Sequence, residues 1–565
     1  MRFGIGQALT RLEDGRLITG QGNYTADHNE VGQLYGFVLR SPYAHAEITH
    51  LDVTAAKASP GVVTILTHHD ITKAGLGQLR YPLGLKSRDG SEMVLPPRPI
   101  LAEGRVRHVG EAIAFIVAES LEQARDAAEL IDIGFKDVPS ITDLSRSVDP
   151  SVPQIWPEAA QNTCLDWYQG DLAKTEAAFA NAAHVVKLRL INNRLISHTL
   201  ETRNSIGVYD AARNHYTLYA ASQGVHIVQD TLAKFFFKMP KEHFRVITKD
   251  VGGGFGTKMF PINEHAMVLL AAKLTGRPVK WVGDRSDCFQ GDSHGRDNVS
   301  DAELAIDKDG KFLAIRVDTL ANMGAYLSPF GPYIATKAGT SMLTGAYDIK
   351  SAYVRVRCVF TTRVPVDAYR GAGRPEASYI IERLVDAAAR QLKISAVELR
   401  KRNFIQPAQM PYHCAMEHVY DSGNFSAVLD EALKRADYAG FAARKTAARK
   451  QGKLLGFGIA SYVECCAGGA GENSRIEIAP DGQITLFIGT QNNGQGHETA
   501  YAQIVGDILQ IEPHNIRLVQ GDSDQIATGG GTGGSRSVPI GGASLKTASE
   551  TMITQAIQRG SEILG

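Results

Sequence analysis

The densest chemistry in the sequence lies in "GTQNNGQGHETAYAQIVGDIL", residues 489–509. Gln491, Asn492, Asn493 and Gln495 are neutral amides that both donate and accept hydrogen bonds. His497 follows, opening a stretch with helical spacing. Such a loop suits a heterocycle with urea- or amide-like edges better than a simple phosphate. For His497, a satisfied structural histidine is a stronger reading than a metal ligand. "VGGGFGTKM", residues 251–259, lets the backbone come close to a ligand and turn sharply. A tight strand-to-helix turn explains it equally well. Both nucleotide signatures fail there: positions 257 and 259 are Thr and Met where G-x-G-x-x-G needs glycine, and Thr257 precedes Lys258 where Walker A needs glycine. "GDSDQIATGGGTGGSRSVPIGG", residues 521–542, is a nest of N–H groups and hydroxyls suited to phosphate, to which Arg536 can add charge. "AYRGAGRPE", residues 368–376, sets Arg370 and Arg374 before a long helical stretch, with Pro375 in its first turn. Arginine there suits an anionic or carbonyl group, while a surface cap is an equal alternative for Arg374. Glu201 and Glu464 are candidate bases by residue type alone, and ion pairing at the core edge is the commoner fate of such residues.

Metal and redox chemistry by side chains is poorly supported. The six cysteines, Cys164, Cys288, Cys358, Cys414, Cys465 and Cys466, form no C-x-x-C pair. Neither a zinc ribbon nor a Cys₄ iron–sulfur site follows. Lys+Arg and Asp+Glu are both 60, which argues against nucleic acid or an anionic membrane held by bulk charge. The first residues carry no secretory h-region, and the longest apolar run, "AIAFIVA", is too short to span a bilayer. A cytoplasmic location is expected by default.

The elements that must position these loops follow a plan. A chain of 565 residues holds three or four domains. Residues 1–140 read as a small α+β unit, with a helix N-capped by Ser120. The Pro-, Ser- and Asp-rich stretch 141–181 reads as a linker, 182–435 as one large domain, 436–453 as a charged helical linker, and 454–565 as a last domain. An internal repeat links the two larger domains. Residues 216–257 and 484–534 each read as strand, Gln-Gly loop, helix, strand, glycine-rich loop. Gln223 to Arg245 and Gln495 to Arg517 are both 22 residues apart. Loops at strand carboxyl ends gather in one crevice, so the repeat predicts Gln223 and Gln495 bordering a shared crevice with Gly254 and Gly256.

Taken in order, these motifs resemble the molybdenum-binding large subunit of the xanthine dehydrogenase and aerobic carbon monoxide dehydrogenase family. "LRSPYAHAEI" and "HVGEAIAFIVAES" are similar to its a/b-hammerhead domain, "SQG", "GGGFGTK" and "AYRGAGRPE" to its first molybdopterin-binding domain, and "GQGHETAYAQI", "GDSD" and "GGGTGGSRS" to its second. The resemblance implies an α+β chain of hammerhead plus two related molybdopterin-binding domains, the second incomplete. It implies a molybdenum–molybdopterin cofactor, in the cytosine dinucleotide form, whose dithiolene holds the metal with no protein ligand. By motif, Gln223, Phe255 and Arg370 fall beside the metal as catalytic residues. Gly224, Gly254, Gly256, Gly371, Gln495, Gly496, His497, Ser535, Arg536 and Ser537 join Gln223, Phe255 and Arg370 in binding the cofactor.

The activity implied is oxidation of an N-heteroaromatic or aldehyde small molecule with water as oxygen source. Electrons would leave through a small [2Fe-2S] subunit and a medium FAD subunit, in a heterotrimer that can pair into a dimer. A non-catalytic cofactor-binding or assembly subunit, or an inactive fragment, is the alternative. Two departures narrow the substrate. Gly371 stands where carbon monoxide dehydrogenases carry the copper-binding cysteine of "AYRCSFR". Met259 stands where purine oxidases carry a glutamate. The family's catalytic glutamate, in a Gly-Glu motif well past "SRS", has no counterpart before Gly565, so the reading expects a C-terminally truncated chain.

Overall fold

A computed structural model describes residues 4–467 and 471–565. The protein is α+β and built on three main sheets. The largest has seven strands in the order Phe244–Ile247, His215–Ala220, Asn204–Asp210, Val279–Val282, Leu34–Arg40, Ala112–Ala118, Val62–Leu66. Leu34–Arg40 pairs in parallel with Val279–Val282 on one side and antiparallel with Ala112–Ala118 on the other. The N-terminal unit is therefore no closed domain, because its central strand is stitched into the sheet of the next one. Every residue of Ala112–Ala118 is buried, which is what an apolar run covered on both faces requires. The helix Asn263–Thr275 packs on this sheet. Its "EHAMVLLAA" stretch is buried without interruption, as expected of a helix apolar almost all round. Glu264 is tolerated there because Arg40 donates to its carboxylate at 2.8 Å.

The second sheet runs Thr163–Gly170, Ser351–Phe360, Phe312–Gly324, Asn298–Ile306, His184–Asn192. The helix Arg374–Leu392 buries Ile380, Ile381, Leu384 and Val385 in the core it shares with this sheet. Here the linker reading of 141–181 fails. Thr163–Gly170 is an edge strand paired with Ser351–Phe360, and Leu172–Ala180 is a helix capped by Asp171. Composition misled because the Pro- and Asp-rich half, up to about residue 160, hides the strand that follows. The segment 454–467, read as part of the last domain, packs against the core of the first large one: Ile459, Val463 and Cys465 lie on that core, and Arg400 donates to the Ile459 carbonyl.

The third sheet is Ser474–Ile478, Ile484–Ile488, Ile516–Val519. It carries the repeat. Thr217 pairs with Arg245 and Thr485 pairs with Arg517, both in parallel strands joined by a helical crossover. The helix is His497–Leu509 in one copy and Val225–Thr231 in the other. The two copies meet directly. Ile247 bridges Asp522, Thr248 N–H donates to the Gly521 carbonyl, and Arg245 pairs with Asp522 at 2.7 Å. The N-terminal segment ties them further, with Arg16 reaching Asp250 and Glu498. No helix among the described residues is long and apolar enough to cross a membrane.

Candidate functional site

Gln223 is the joint between the two repeats. Its Oε1 accepts from the Gly256 N–H at 2.8 Å, and its Nε2 donates to the Thr532 carbonyl at 2.7 Å. Its backbone pairs the same way, with N–H to the Lys258 carbonyl and C=O from the Thr532 N–H. Such proximity demands glycine on each side. A methyl group on Gly224 would stand 2.7 Å from Gly531 Cα, and one on Gly254 would stand 2.7 Å from Gln223 Cγ.

The polar loop of 489–496 binds these strands together. Gln491 N–H donates to Thr532 Oγ1, which donates back to the Gln491 carbonyl. Asn493 Nδ2 donates to the carbonyl of Ser222, the neighbour of Gln223. Gln495 Oε1 accepts from the Asn493 N–H at 2.6 Å. Gln495 and Gln223 therefore border one locale. Gly496, at φ +87°, caps the helix that His497 opens, whose first N–H groups have no helical acceptor. His497 is buried, and burial pushes its pKa down to about 4. Gln520 Nε2 donates to its Nδ1 at 3.2 Å. His497 Nε2 and Gln491 Oε1 are buried with no hydrogen-bond partner, so the loop carries unspent polar capacity.

The arginine loop lies against the glycine loop. Arg370 N–H donates to the Phe255 carbonyl at 2.9 Å. Phe255 holds φ +55°, and its ring is partly exposed. Gly256, at φ +103°, would drive a methyl group to 2.5 Å from the Ala368 carbonyl oxygen. Arg296 clamps the loop from beneath, donating to the carbonyls of Tyr369 and Arg370 and pairing with Glu376 at 3.2 Å. The Arg370 side chain is exposed. Gly371, at φ +93°, leaves no room for a side chain, since a methyl there would stand 2.4 Å from Pro375 Cγ.

In the "SRS" loop, Ser537 Oγ lies 2.8 Å from Thr532 Oγ1, and Ser535 is exposed at φ +54°. Arg536 points inward. Its guanidinium pairs with buried Glu472 at 2.6 Å and donates to the Gly531 carbonyl. What it gives the loop in this structure is shape, with its charge committed to Glu472.

Glu201 holds the glycine loop. Its carboxylate accepts from Lys258 Nζ at 2.9 Å, the Gly252 N–H at 2.9 Å and Asn204 Nδ2 at 3.0 Å. Glu464 faces Arg374 Nε at 3.9 Å, and its burial pushes its carboxyl up. Thr532, Gln520, Arg296 and Glu472 were not singled out by sequence reading. Thr532 alone left a signal, as the one hydroxyl inside "GGGTGG". Among the described residues no three His, Cys, Asp or Glu cluster to hold a metal ion. The donor set is amide, hydroxyl and backbone N–H, which suits a large neutral-to-anionic heterocycle bringing its own metal ligands.

The comparisons agree with this chemistry. The description "Aldehyde oxidase and xanthine dehydrogenase, a/b hammerhead domain" matches residues 19–139, and "Molybdopterin cofactor-binding domain" matches 155–404 and again 431–565. The chain is 32% identical to the carbon monoxide dehydrogenase large chain of Afipia carboxidovorans, over 98% of this chain and 71% of that one. It is also 32% identical to the nicotine 6-hydroxylase large subunit of Paenarthrobacter nicotinovorans, over 96% of this chain and 67% of that one. Quinoline 2-oxidoreductase from Pseudomonas putida 86 superimposes with a TM-score of 0.89 at 30% identity, covering 97% of this chain and 70% of that one.

Proposed function

Because the chain belongs to the xanthine dehydrogenase and carbon monoxide dehydrogenase family of molybdopterin-binding large subunits, whose members are molybdenum-dependent oxidoreductases, we propose that it is the hydroxylating subunit for an N-heteroaromatic or aldehyde substrate. When bound, a molybdenum–molybdopterin cofactor supplies the two-electron chemistry and the oxygen drawn from water. The observation that carries this reading is Gln223, whose carboxamide spans the two repeats and fixes the Gly256 N–H. Gln223, Gly224, Gly254, Phe255, Gly256, Arg370 and Gly371 would hold the metal end. Gln495, Gly496 and His497 would lie along the pterin, with Ser535, Ser537 and the loop backbone that Arg536 holds in shape at the pterin or the phosphates of its cytosine dinucleotide form. A buried neutral His497, whose Nδ1 accepts from Gln520, carries its proton on Nε2 and can donate one hydrogen bond without bringing charge beside the ring.

The chain's own residues order and exclude. The Arg296 clamp fixes the backbone of Tyr369 and Arg370, so that the exposed Arg370 side chain can meet a substrate carbonyl or anion. The absence of a thiol at Gly371 supports an organic substrate over carbon monoxide, and two relatives bear N-heteroaromatic substrates in their names. Separate [2Fe-2S] and FAD subunits in the cytoplasm would carry electrons away. The test is to purify the complex, measure molybdenum, and follow dye reduction with quinoline, nicotine, benzaldehyde, xanthine and carbon monoxide. Turnover of a heteroaromatic or aldehyde is expected. Carbon monoxide or xanthine as the sole good substrate, or a complex without molybdenum, would overturn the proposal.

A further inference from the structure

A cleft of about 600 Å³ opens between the N-terminal unit and the first large domain and shares no lining residue with the loops above. Trp156 is buried on one side of it, and the Arg107 guanidinium lies over the indole, 3.8 Å from its centroid. Arg107 Nε is buried without a hydrogen-bond partner. Pro97, Pro99 and Ile100 make an apolar wall, and Phe235 adds a ring. Arg80, Lys234 and Lys238 complete a set of four cations with Arg107. The single carboxylate, Glu103, lies 3.3 Å from His68 Nε2. None of the four cations makes an ion pair within 4 Å among the described residues. Four cations and one carboxylate leave a formal excess of three positive charges (4 − 1) in a chain whose net charge is zero.

Like charges gathered in a concave, partly apolar site raise the local concentration of anions. A guanidinium stacked on an indole presents a flat face that favours another flat group. The volume falls in the range of roughly 300–1,000 Å³ typical of small-molecule sites. We propose that this cleft binds a small planar organic anion. Its phosphate or carboxylate would meet Arg80, Lys234 and Lys238, and its ring would pack on Arg107 and the proline wall. The site is separate from the candidate cofactor loops, so it takes a second ligand and not the substrate.

The experiment uses the purified complex and titrates adenosine monophosphate and benzene-1,3-dicarboxylate by calorimetry and tryptophan fluorescence. Adenosine and inorganic phosphate serve as the ring-only and anion-only probes. At least one planar anion should bind saturably and more tightly than either half-probe. The double variant Lys234→Glu/Lys238→Glu should weaken it by roughly tenfold or more, the factor carried by about 1.4 kcal/mol. Both lysines are exposed, so the variant should keep its melting temperature and molybdenum content. Trp156→Phe should remove the fluorescence response. No saturable binding, as when a partner subunit covers the cleft, or equal affinity in the double variant, would overturn the proposal. Inorganic phosphate binding as tightly as both planar anions would overturn it too.

Discussion

At the scale of single residues, the site is decided by where side chains are absent. Gln223 can hold two loops together only because Gly224 and Gly254 leave it the space. Gln223→Ala strands the partly buried Gly256 N–H and Thr532 carbonyl, a loss towards the lower end of the about 1–3 kcal/mol that a buried unsatisfied group costs. Molybdenum content should drop together with the melting temperature. An unchanged metal load would show that the joint does not hold the cofactor. Gly371 poses the converse test. Gly371→Cys supplies the thiolate that copper needs, yet the new Cβ would press on Pro375 at a φ of +93°. That strain costs roughly 1–3 kcal/mol. The variant should melt lower, bind no stoichiometric copper and oxidise no carbon monoxide. One copper per molybdenum by metal analysis would refute this.

At the scale of elements, the loops are stiff because each is anchored from behind. Glu201 does this for the glycine loop by neutralising buried Lys258 and accepting from the Gly252 N–H. Glu201→Ala leaves that ammonium uncompensated, which typically costs about 3–5 kcal/mol. The melting temperature should fall sharply. Adding Lys258→Met should recover much of it, since the double variant leaves no orphan charge. A Glu201→Ala protein that melts normally but has lost turnover would instead make Glu201 a base. The sequence showed the loops because their glycines and amides are local signals, and it showed the repeat because the spacing of Gln223 to Arg245 matches that of Gln495 to Arg517. It hid the anchors. Glu201 and Lys258 are 57 residues apart, and Glu472 and Arg536 are 64 apart. No local pattern marks two residues that meet only after folding. For that reason the pairing of Arg536 with Glu472 left no mark in the sequence.

At the scale of the whole molecule, burial of polar groups sets the response to acid. Burial pushes the pKa of His108 and His265 down to about 3, and that of His497 to about 4, from an ordinary 6.5. Unfolding frees all three to take up protons. The stability they leave intact above pH 6.5 is therefore lost as pH falls towards 4 and 3. Asp367 opposes them. Burial raises its carboxyl to about 6 from 3.8, so it favours the fold as pH falls through 6. Burial also raises the carboxyls of Glu111, Glu382 and Glu464 and lowers the imidazoles of His45, His226 and His294, so with six histidines against four carboxyls calorimetry should show the melting temperature declining from neutral pH to about pH 4. A steady rise over that range would contradict the assignment. The shared seven-stranded sheet has a different consequence, one of timing. Strand Leu34–Arg40 leaves the ribosome early, but its partner Val279–Val282 is made 242 residues later (282 − 40). At about 5–20 residues per second, that is a wait of roughly 12–50 seconds. Through that interval the strand offers an unpaired edge to any neighbouring nascent chain. Yield of this protein should thus depend on how crowded its polysomes are and on chaperones that shield the first hundred residues until the sheet can close.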